Sequence, residues 1–286
     1  MKHLCTVSPL CDYLRAARQA GKRIGFVPTM GAIHEGHRSL IRAARANCDE
    51  VVVSIFVNPT QFAPGEDYEA YPRPLEADLA ACQAEGVDVV FCPGTDEMYP
   101  PGSATSVSVT GLTEALCGAH RSGHFVGVTT VVAKLFNIVQ PDVAYFGQKD
   151  AQQAIVIQRM TRDLRWPIEI VVCPTVREAD GLALSSRNRY LTAQQRKQAT
   201  CLSTTLNWAK DQIEAGQHDT AALLAEMQRK IEVAGPCTID YIEIVDAANL
   251  APQPSAEGPC LIALAVRIGK SRLIDNLLVD ATPTNR

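Results

Sequence analysis

Val27-Pro-Thr-Met-Gly-Ala-Ile-His-Glu-Gly-His37 continues a short apolar run that begins at Ile24 and leads into a stretch with helical periodicity. From His37 to Asn47, Leu40, Ile41 and Ala44 fall on one face, as an amphipathic helix requires. The order strand, glycine-containing turn, helix puts His34 and His37 at or just inside a helix N-terminus, at the carboxyl end of a strand. Unpaired backbone N–H groups and the positive end of the helix dipole attract anions there. Imidazole N–H groups add donors that can follow charge as it develops on a phosphate. The stretch reads as a site for the phosphates of a nucleotide.

Other readings of the two histidines fit less well. A His-Glu-x-x-His zinc site needs the second histidine four residues after the first, and here it comes one residue early. Capping or packing is the plain structural alternative, but strand, turn and helix all stand where phosphate binding needs them. Gly269-Lys270-Ser271 resembles the end of a Walker A loop, yet the earlier glycine position is Leu264. No Gly-x-Gly-x-x-Gly follows the first strand, so dinucleotide redox chemistry has little support.

Outward from this stretch, strand candidates cover 23–27, 50–57, 87–92, 143–146 and 168–173, rich in Val and Ile without strict alternation. Such runs suit a sheet covered on both faces. Helices are expected over 10–20, with Ser8 as N-cap and Pro9 at the first position, and over 74–85, 128–139 and 150–163. Residues 105–110 are an extra edge-strand candidate. The alternation argues for an α/β fold, a Rossmann-like doubly wound parallel sheet, over residues 1–175. Beyond that boundary the character changes. Thr192-Ala-Gln-Gln195 fits a capping box opening a helix to about residue 215, and a second helix follows over 220–232. Strands are expected over 239–245, 261–268 and 273–279. Residues 176–286 therefore read as a smaller α+β domain of helices and antiparallel sheet.

The 286 residues suffice for a large core. A formal net charge of −4, with no run of Lys or Arg, argues against nucleic acid or an anionic membrane as partner. The N-terminus lacks the apolar core of a signal peptide, and the longest apolar runs are too short to span a bilayer. A soluble, cytoplasmic protein is expected. The ten cysteines are scattered without any Cys-x-x-Cys, which suits reduced thiols acting as small hydrophobes.

Four further loops carry chemistry. Asn58-Pro-Thr-Gln-Phe62 follows the second strand, where a parallel sheet opens its crevice, and its neutral amides suit hydroxyl and carboxylate groups. Gly147-Gln-Lys-Asp150 follows a later strand in the same way; Lys149 can neutralise a phosphate, and Asp150 can accept from ribose hydroxyls or cap the next helix. A solvated lysine is the alternative there. Leu184-Ser-Ser-Arg-Asn188 offers two hydroxyls and a guanidinium as an anion clamp, or serves merely as a helix-entry loop. Arg121-Ser-Gly-His-Phe-Val-Gly127 is another polar loop leading into a helix.

Together these segments resemble the pantoate–β-alanine ligase family, part of a wider nucleotidyltransferase superfamily marked by His-x-Gly-His. The matches are Pro28 to His37, Val53 to Phe62, Arg121 to Gly127, Phe146 to Asp150 with Gln153, Asp180 to Asn188, and Arg272-Leu-Ile-Asp-Asn276, in the family's order. The resemblance implies ATP-dependent condensation of (R)-pantoate with β-alanine to pantothenate, through a pantoyl adenylate, with release of AMP and pyrophosphate. It implies ATP as substrate, Mg²⁺, and a homodimer.

Carried over residue by residue, Met30, Gly31, Ala32, Ile33, His34, Glu35, Gly36 and His37 would line the ATP site. His34, His37 and Lys149 would be catalytic, His37 as the usual proton donor. Gly147, Gln148, Lys149, Asp150 and Val176 would bind the nucleotide, joined by Leu184, Ser185, Ser186 and Arg187 as a second phosphate-binding loop on the smaller, lid-like domain. Gln61 and Gln153 would hold pantoate, with Asn58 near the incoming amine. Gln148 departs from the glutamate common in the family. The protein ligands of Mg²⁺ are unknown at this stage, and a cation bound through ATP phosphates and water is the physical expectation. A nucleotidyltransferase with a different small acceptor is the alternative; it would need basic residues for an acceptor phosphate, where this chain has neutral Gln61 and Gln153.

Overall fold

The computed structural model describes residues 1–280. In chain order the first elements are β1 (Lys2–Leu4), α1 (Val7–Gln19), β2 (Ile24–Thr29), α2 (Glu35–Asn47), β3 (Glu50–Ile55) and α3 (Leu75–Ala84). They are followed by β4 (Val89–Phe91), α4 (Thr95–Met98), α5 (Cys117–His120), α6 (His124–Val139), β5 (Val143–Gly147), α7 (Ala151–Asp163) and β6 (Glu169–Cys173). The chain continues through α8 (Ala193–Glu214), α9 (Thr220–Val233), β7 (Thr238–Asp246), β8 (Pro259–Ile268) and β9 (Ser271–Asp280).

Two compact units emerge. One holds residues 1–110, 121–148 and 153–174; the other holds 111–120, 149–152 and the chain from Thr175 onward. Two short early segments thus belong with the C-terminal unit. Gln152 ties these two segments to each other: its amide donates to the carbonyls of Leu112 and Ala115 and accepts from Cys117 N–H, at 2.8 to 2.9 Å.

The first unit is built on six parallel strands in the order β1-β4-β3-β2-β5-β6. The central strands are buried on both faces, which is why their sequences run apolar without alternation. Alternate residues of β2 divide between the faces. Val27 packs with Leu40, Ile41 and Ala44 of α2, while the Phe26 ring meets Phe136 of α6 edge-on at 6.4 Å. The chain runs outward from β2 through β3 to β4, then returns to β5 and leaves the other way. The reversal falls between β2 and β5, where open α/β sheets hold their ligands.

Two expectations about elements need correction, and one strand has no counterpart among them. Residues 105–110 form no strand; the Thr129 and Thr130 hydroxyls of α6 satisfy the Val107 carbonyl and N–H instead. One edge strand of the sheet is β1, three residues with no apolar run to announce it. Helix α1 begins at Val7, with Thr6 as an N-cap whose side chain makes no capping bond. Glu97 supplies the acceptor from afar, taking the Val7 N–H at 2.7 Å, and Pro9 sits in the first turn, where its missing N–H costs nothing.

In the second unit, β7-β8-β9 form an antiparallel sheet. Leu202, Leu206 and Ile213 of α8 and Leu223, Met227 and Ile231 of α9 pack on Cys260, Ile262, Leu264 and Val266 of β8. Thr192 and Gln195 form the expected capping box at the start of α8.

Candidate active site

In the first unit, β2 delivers the chain to a tightly held turn. Thr29 Oγ1 donates to the Ser54 carbonyl at 2.8 Å and accepts from Gly31 N–H at 3.1 Å. Gly31 has φ +81°, and a Cβ there would lie 2.8 Å from Asp78 Oδ2. Ala32 follows at φ +49°, a left-handed conformation that costs an alanine roughly 1 kcal/mol or more. Asp78, reaching from α3 and 2% exposed, offsets this by accepting the Ala32 and Ile33 N–H groups at 2.9 and 2.7 Å. Sequence reasoning missed Asp78. Its only signal was an acid in the first turn of a predicted helix, where acids are common anyway.

His34 is the N-cap of α2, and its Nδ1 accepts from Gly36 N–H at 3.2 Å. His37 Nδ1 accepts from His34 N–H at 3.4 Å, closing a reciprocal capping box made of imidazoles. The rings stack with centroids 4.1 Å apart. With both Nδ1 atoms acting as acceptors, hydrogen bonding assigns both neutral rings the tautomer that carries its proton on Nε2. The pair therefore presents two N–H donors beside a helix N-terminus. Glu35, next to them, pairs with Arg42.

Asn58 caps and Gln61 ends a 3₁₀ turn, Pro59–Gln61, shortly after β3. Asn58 is 1% exposed and fully used: its oxygen accepts from Thr60 N–H, Thr60 Oγ1 and the Tyr99 hydroxyl, and its nitrogen donates to Gln61 Oε1 and the Gly127 carbonyl. Gln61 Nε2 contacts Met30 Sδ at 3.1 Å, which joins this turn to the β2 loop. Burial pushes the Tyr99 phenol above its ordinary pKa, against its hydrogen bonds with Thr60 and Asn58.

Glu66, Arg121 and His124 hold the turn from its other side. Arg121 donates through Nε and Nη2 to both Glu66 oxygens at 2.6 Å, and its Nη1 lies 2.9 Å from His124 Nε2. His124 Nδ1 donates to the Gln61 carbonyl at 2.8 Å. Burial raises the Glu66 carboxyl, but the Arg121 hydrogen bonds and charge outweigh it and hold the group below its ordinary value. Gln153, on α7, is half-buried, as are Gly147 and Gln148 at the end of β5.

In the second unit, β9 gathers the remaining predicted residues. Asn276 Nδ2 donates to the Lys149 carbonyl at 2.9 Å. Asp275 takes Arg177 bidentately, at 2.6 and 2.9 Å, and Ser271 Oγ donates to the Arg187 carbonyl at 3.3 Å. Arg177 and Ala183 bridge, Leu184 N–H donates to the Val176 carbonyl, and Ser185 Oγ caps the turn Ser186–Tyr190 through Arg187 N–H. Lys149, Val176 and the 184–187 loop are thus fixed to one strand. Asp150 follows Lys149, with 4.0 Å between ammonium and carboxylate. Among the described residues no cluster of three or more His, Cys, Asp or Glu could hold a metal, and no helix is long and apolar enough to cross a membrane.

Comparison with known proteins gives a consistent result. The family model for pantoate-beta-alanine ligase matches residues 2–278. The pantothenate synthetase of Moorella thermoacetica is 57% identical over 280 residues, covering 98% of this chain and 99% of that one. The crystal structure of pantothenate synthetase from Thermus thermophilus superposes with a TM-score of 0.92 at 46% identity, covering 99% of this chain and 100% of the other. Pantoate-beta-alanine ligase from Francisella tularensis, solved with a β,γ-ATP compound and β-alanine, gives 0.82 at 37% identity, covering 97% of both chains.

Proposed function

The chain belongs to the pantoate–β-alanine ligase family, and from that premise we propose that it makes pantothenate from (R)-pantoate, β-alanine and ATP through a pantoyl adenylate. A free carboxylate resists amine attack because oxide is a poor leaving group. Attack of the pantoate carboxylate on the α-phosphorus expels pyrophosphate and joins a carboxylate oxygen to AMP as a mixed anhydride. The β-alanine amine then adds to the acyl carbon, loses a proton, and AMP departs.

The chain's own groups match these two steps. Met30 to His37 line the nucleotide, with the Nε2–H groups of His34 and His37 donating to phosphate oxygens as pyrophosphate leaves. His37 is the proton donor. Lys149 adds a mobile positive charge at the phosphates, and Gly147, Gln148, Asp150 and Val176 hold the nucleoside side. Leu184, Ser185, Ser186 and Arg187 form the second phosphate loop. Gln61 and Gln153 hold pantoate, and Asn58 keeps Gln61 beside the incoming amine. Mg²⁺ would be held through ATP phosphate oxygens and water, as suits a hard cation, and would supply charge neutralisation there; the donors on these loops are chiefly imidazole, ammonium, hydroxyl and guanidinium, which suit phosphate.

We assign residues 1–175 to nucleotide binding and 176–286 to the smaller domain that carries the second loop, in a homodimer. The ten free thiols suit the reducing cytoplasm.

The observation that carries this reading is the imidazole pair at the start of α2, both rings held by backbone N–H groups so that Nε2–H is the donor each presents. The test is incubation with ATP, Mg²⁺ and pantoate, with and without β-alanine. Pantoate alone should support exchange of labelled pyrophosphate into ATP, and β-alanine should bring AMP and pantothenate in equal amounts. Exchange that appears only with the amine would rule out the two-step route. Turnover with other acids and none with pantoate would favour a different acceptor.

A further inference from the structure

The register of the β1 edge brings two cysteines together at the carboxyl end of β4. His3 pairs with Val90 and Leu4 with Phe91 in parallel register, and Cys92 N–H donates to the Leu4 carbonyl at 2.8 Å. The next step of that register sets Cys5 opposite Cys92. Side chains alternate along a strand, so these two share the face of His3 and Val90. Neighbouring strands run about 4.8 Å apart, inside the range of about 4.4–6.8 Å that disulfides span between Cα atoms. Both cysteines lie one residue past their strands.

The two thiols differ in setting. Cys5 is exposed, with its Sγ 3.6 Å from His3 Nε2. Cys92 is half-buried, and burial pushes its thiol up to about 12, with Cys5 adding to the rise. We propose that Cys5 and Cys92 are a reactive thiol pair that closes to a disulfide by exchange with a low-molecular-weight disulfide.

His3 takes the Cys5 proton, and the thiolate attacks one sulfur of the small disulfide RS–SR. A mixed disulfide forms at Cys5 and RS⁻ leaves, to be protonated as RSH. Cys92 then attacks the Cys5 sulfur and its proton passes to the second RS⁻ that it displaces, which leaves as RSH. Two protein thiols are oxidised by two electrons, and one small disulfide is reduced to two thiols. The product ties the edge strand β1 to the end of β4.

The test is incubation of the full chain with oxidised glutathione, an acid quench, and alkylation after denaturation. Two fewer thiols than the ten of the reduced chain should alkylate, and tandem mass spectrometry should find Cys5 linked to Cys92, with full reversal by dithiothreitol. The Cys92→Ser variant should instead retain one glutathione on Cys5. In Cys5→Ser every remaining thiol should alkylate. A stable glutathione adduct on Cys5 of the unaltered chain, without the internal link, would overturn the proposal. So would a two-thiol loss that persists in Cys5→Ser, or no reaction at all.

Discussion

Asn276, on the last strand of the chain, donates to the backbone carbonyl of Lys149, 127 residues earlier, at 2.9 Å. The bond fixes where a short 3₁₀ turn presents its lysine, while leaving the ammonium itself untouched. Removing one such hydrogen bond costs roughly 0.5–1.5 kcal/mol, or about 2- to 13-fold in an equilibrium. Asn276→Ala should raise the KM for ATP by that factor with little change in secondary structure. Lys149→Ala removes the charge itself and should slow adenylate formation roughly 10²- to 10³-fold, as should His37→Ala. Single-turnover quench measurements separate the two scales, and equal losses in Asn276→Ala and Lys149→Ala would deny Asn276 a merely supporting role.

Asp78 supports a different part of the assigned site. Its two oxygens take the N–H groups of Ala32 and Ile33, one of them on a residue with positive φ. Asparagine is nearly isosteric but turns an NH₂ toward one of those N–H groups. Asp78→Asn should cost about 1–3 kcal/mol of stability, the penalty of a buried polar group left unmatched. It should also slow adenylate formation by roughly 10-fold or more, because the turn before His34 loosens and a small misplacement of reacting groups is costly. Urea unfolding and pyrophosphate exchange check the two halves, and wild-type exchange in a destabilised variant would separate Asp78 from the chemistry.

Gly127 lies in the first turn of α6 against the turn that carries Gln61. A Cβ at 127 would overlap the Thr60 carbonyl and come within 2.7 Å of Gln61 Cα, both backbone groups that can yield only by moving the turn. Gly127→Ala should therefore displace Asn58 and Gln61 together. A shift of about 1 Å at positioning groups can cost about 10²-fold in rate. The expected signature is a fall in kcat/KM for pantoate, with ATP binding preserved in a direct assay. An unchanged kcat/KM would mean that Gln61 does not contact pantoate.

Much of this architecture was legible in the sequence, and the reasons are physical. Strands β2, β3 and β5 announce themselves because a sheet covered on both faces demands continuous apolar runs. The His34 and His37 placement followed from a local pattern, strand to turn to helix, which needs no tertiary information. What escaped were contacts between segments remote in sequence. Asp78 acts 45 and 46 residues from the N–H groups it accepts, and Asn276 acts across most of the chain. Strand β1 was invisible because three largely exposed residues carry no periodicity. The stretch near Val107 looked like a strand by composition, but side-chain hydroxyls from α6 claimed its backbone groups.

Glu66 and Arg121 make the stability of the first unit depend on pH. Burial alone would raise the Glu66 carboxyl, yet the bidentate Arg121 pair holds it below its ordinary value in the folded chain. A depressed carboxylate stabilises the fold above its unfolded pKa, near ~4.3, and that contribution disappears as pH falls through the lower folded value. Glu66→Gln cannot form the charged pair at any pH. The variant should unfold at lower urea than the unaltered chain at pH 7, by roughly 1–2 kcal/mol for a hydrogen-bonded, half-buried pair. The gap should narrow once acid protonates Glu66 in both states. Arg121 also contacts the Gln61 carbonyl and His124, so the KM for pantoate should rise in the same variant at neutral pH. A stability gap that stays constant from pH 7 to pH 3 would show that the charge of Glu66 contributes nothing.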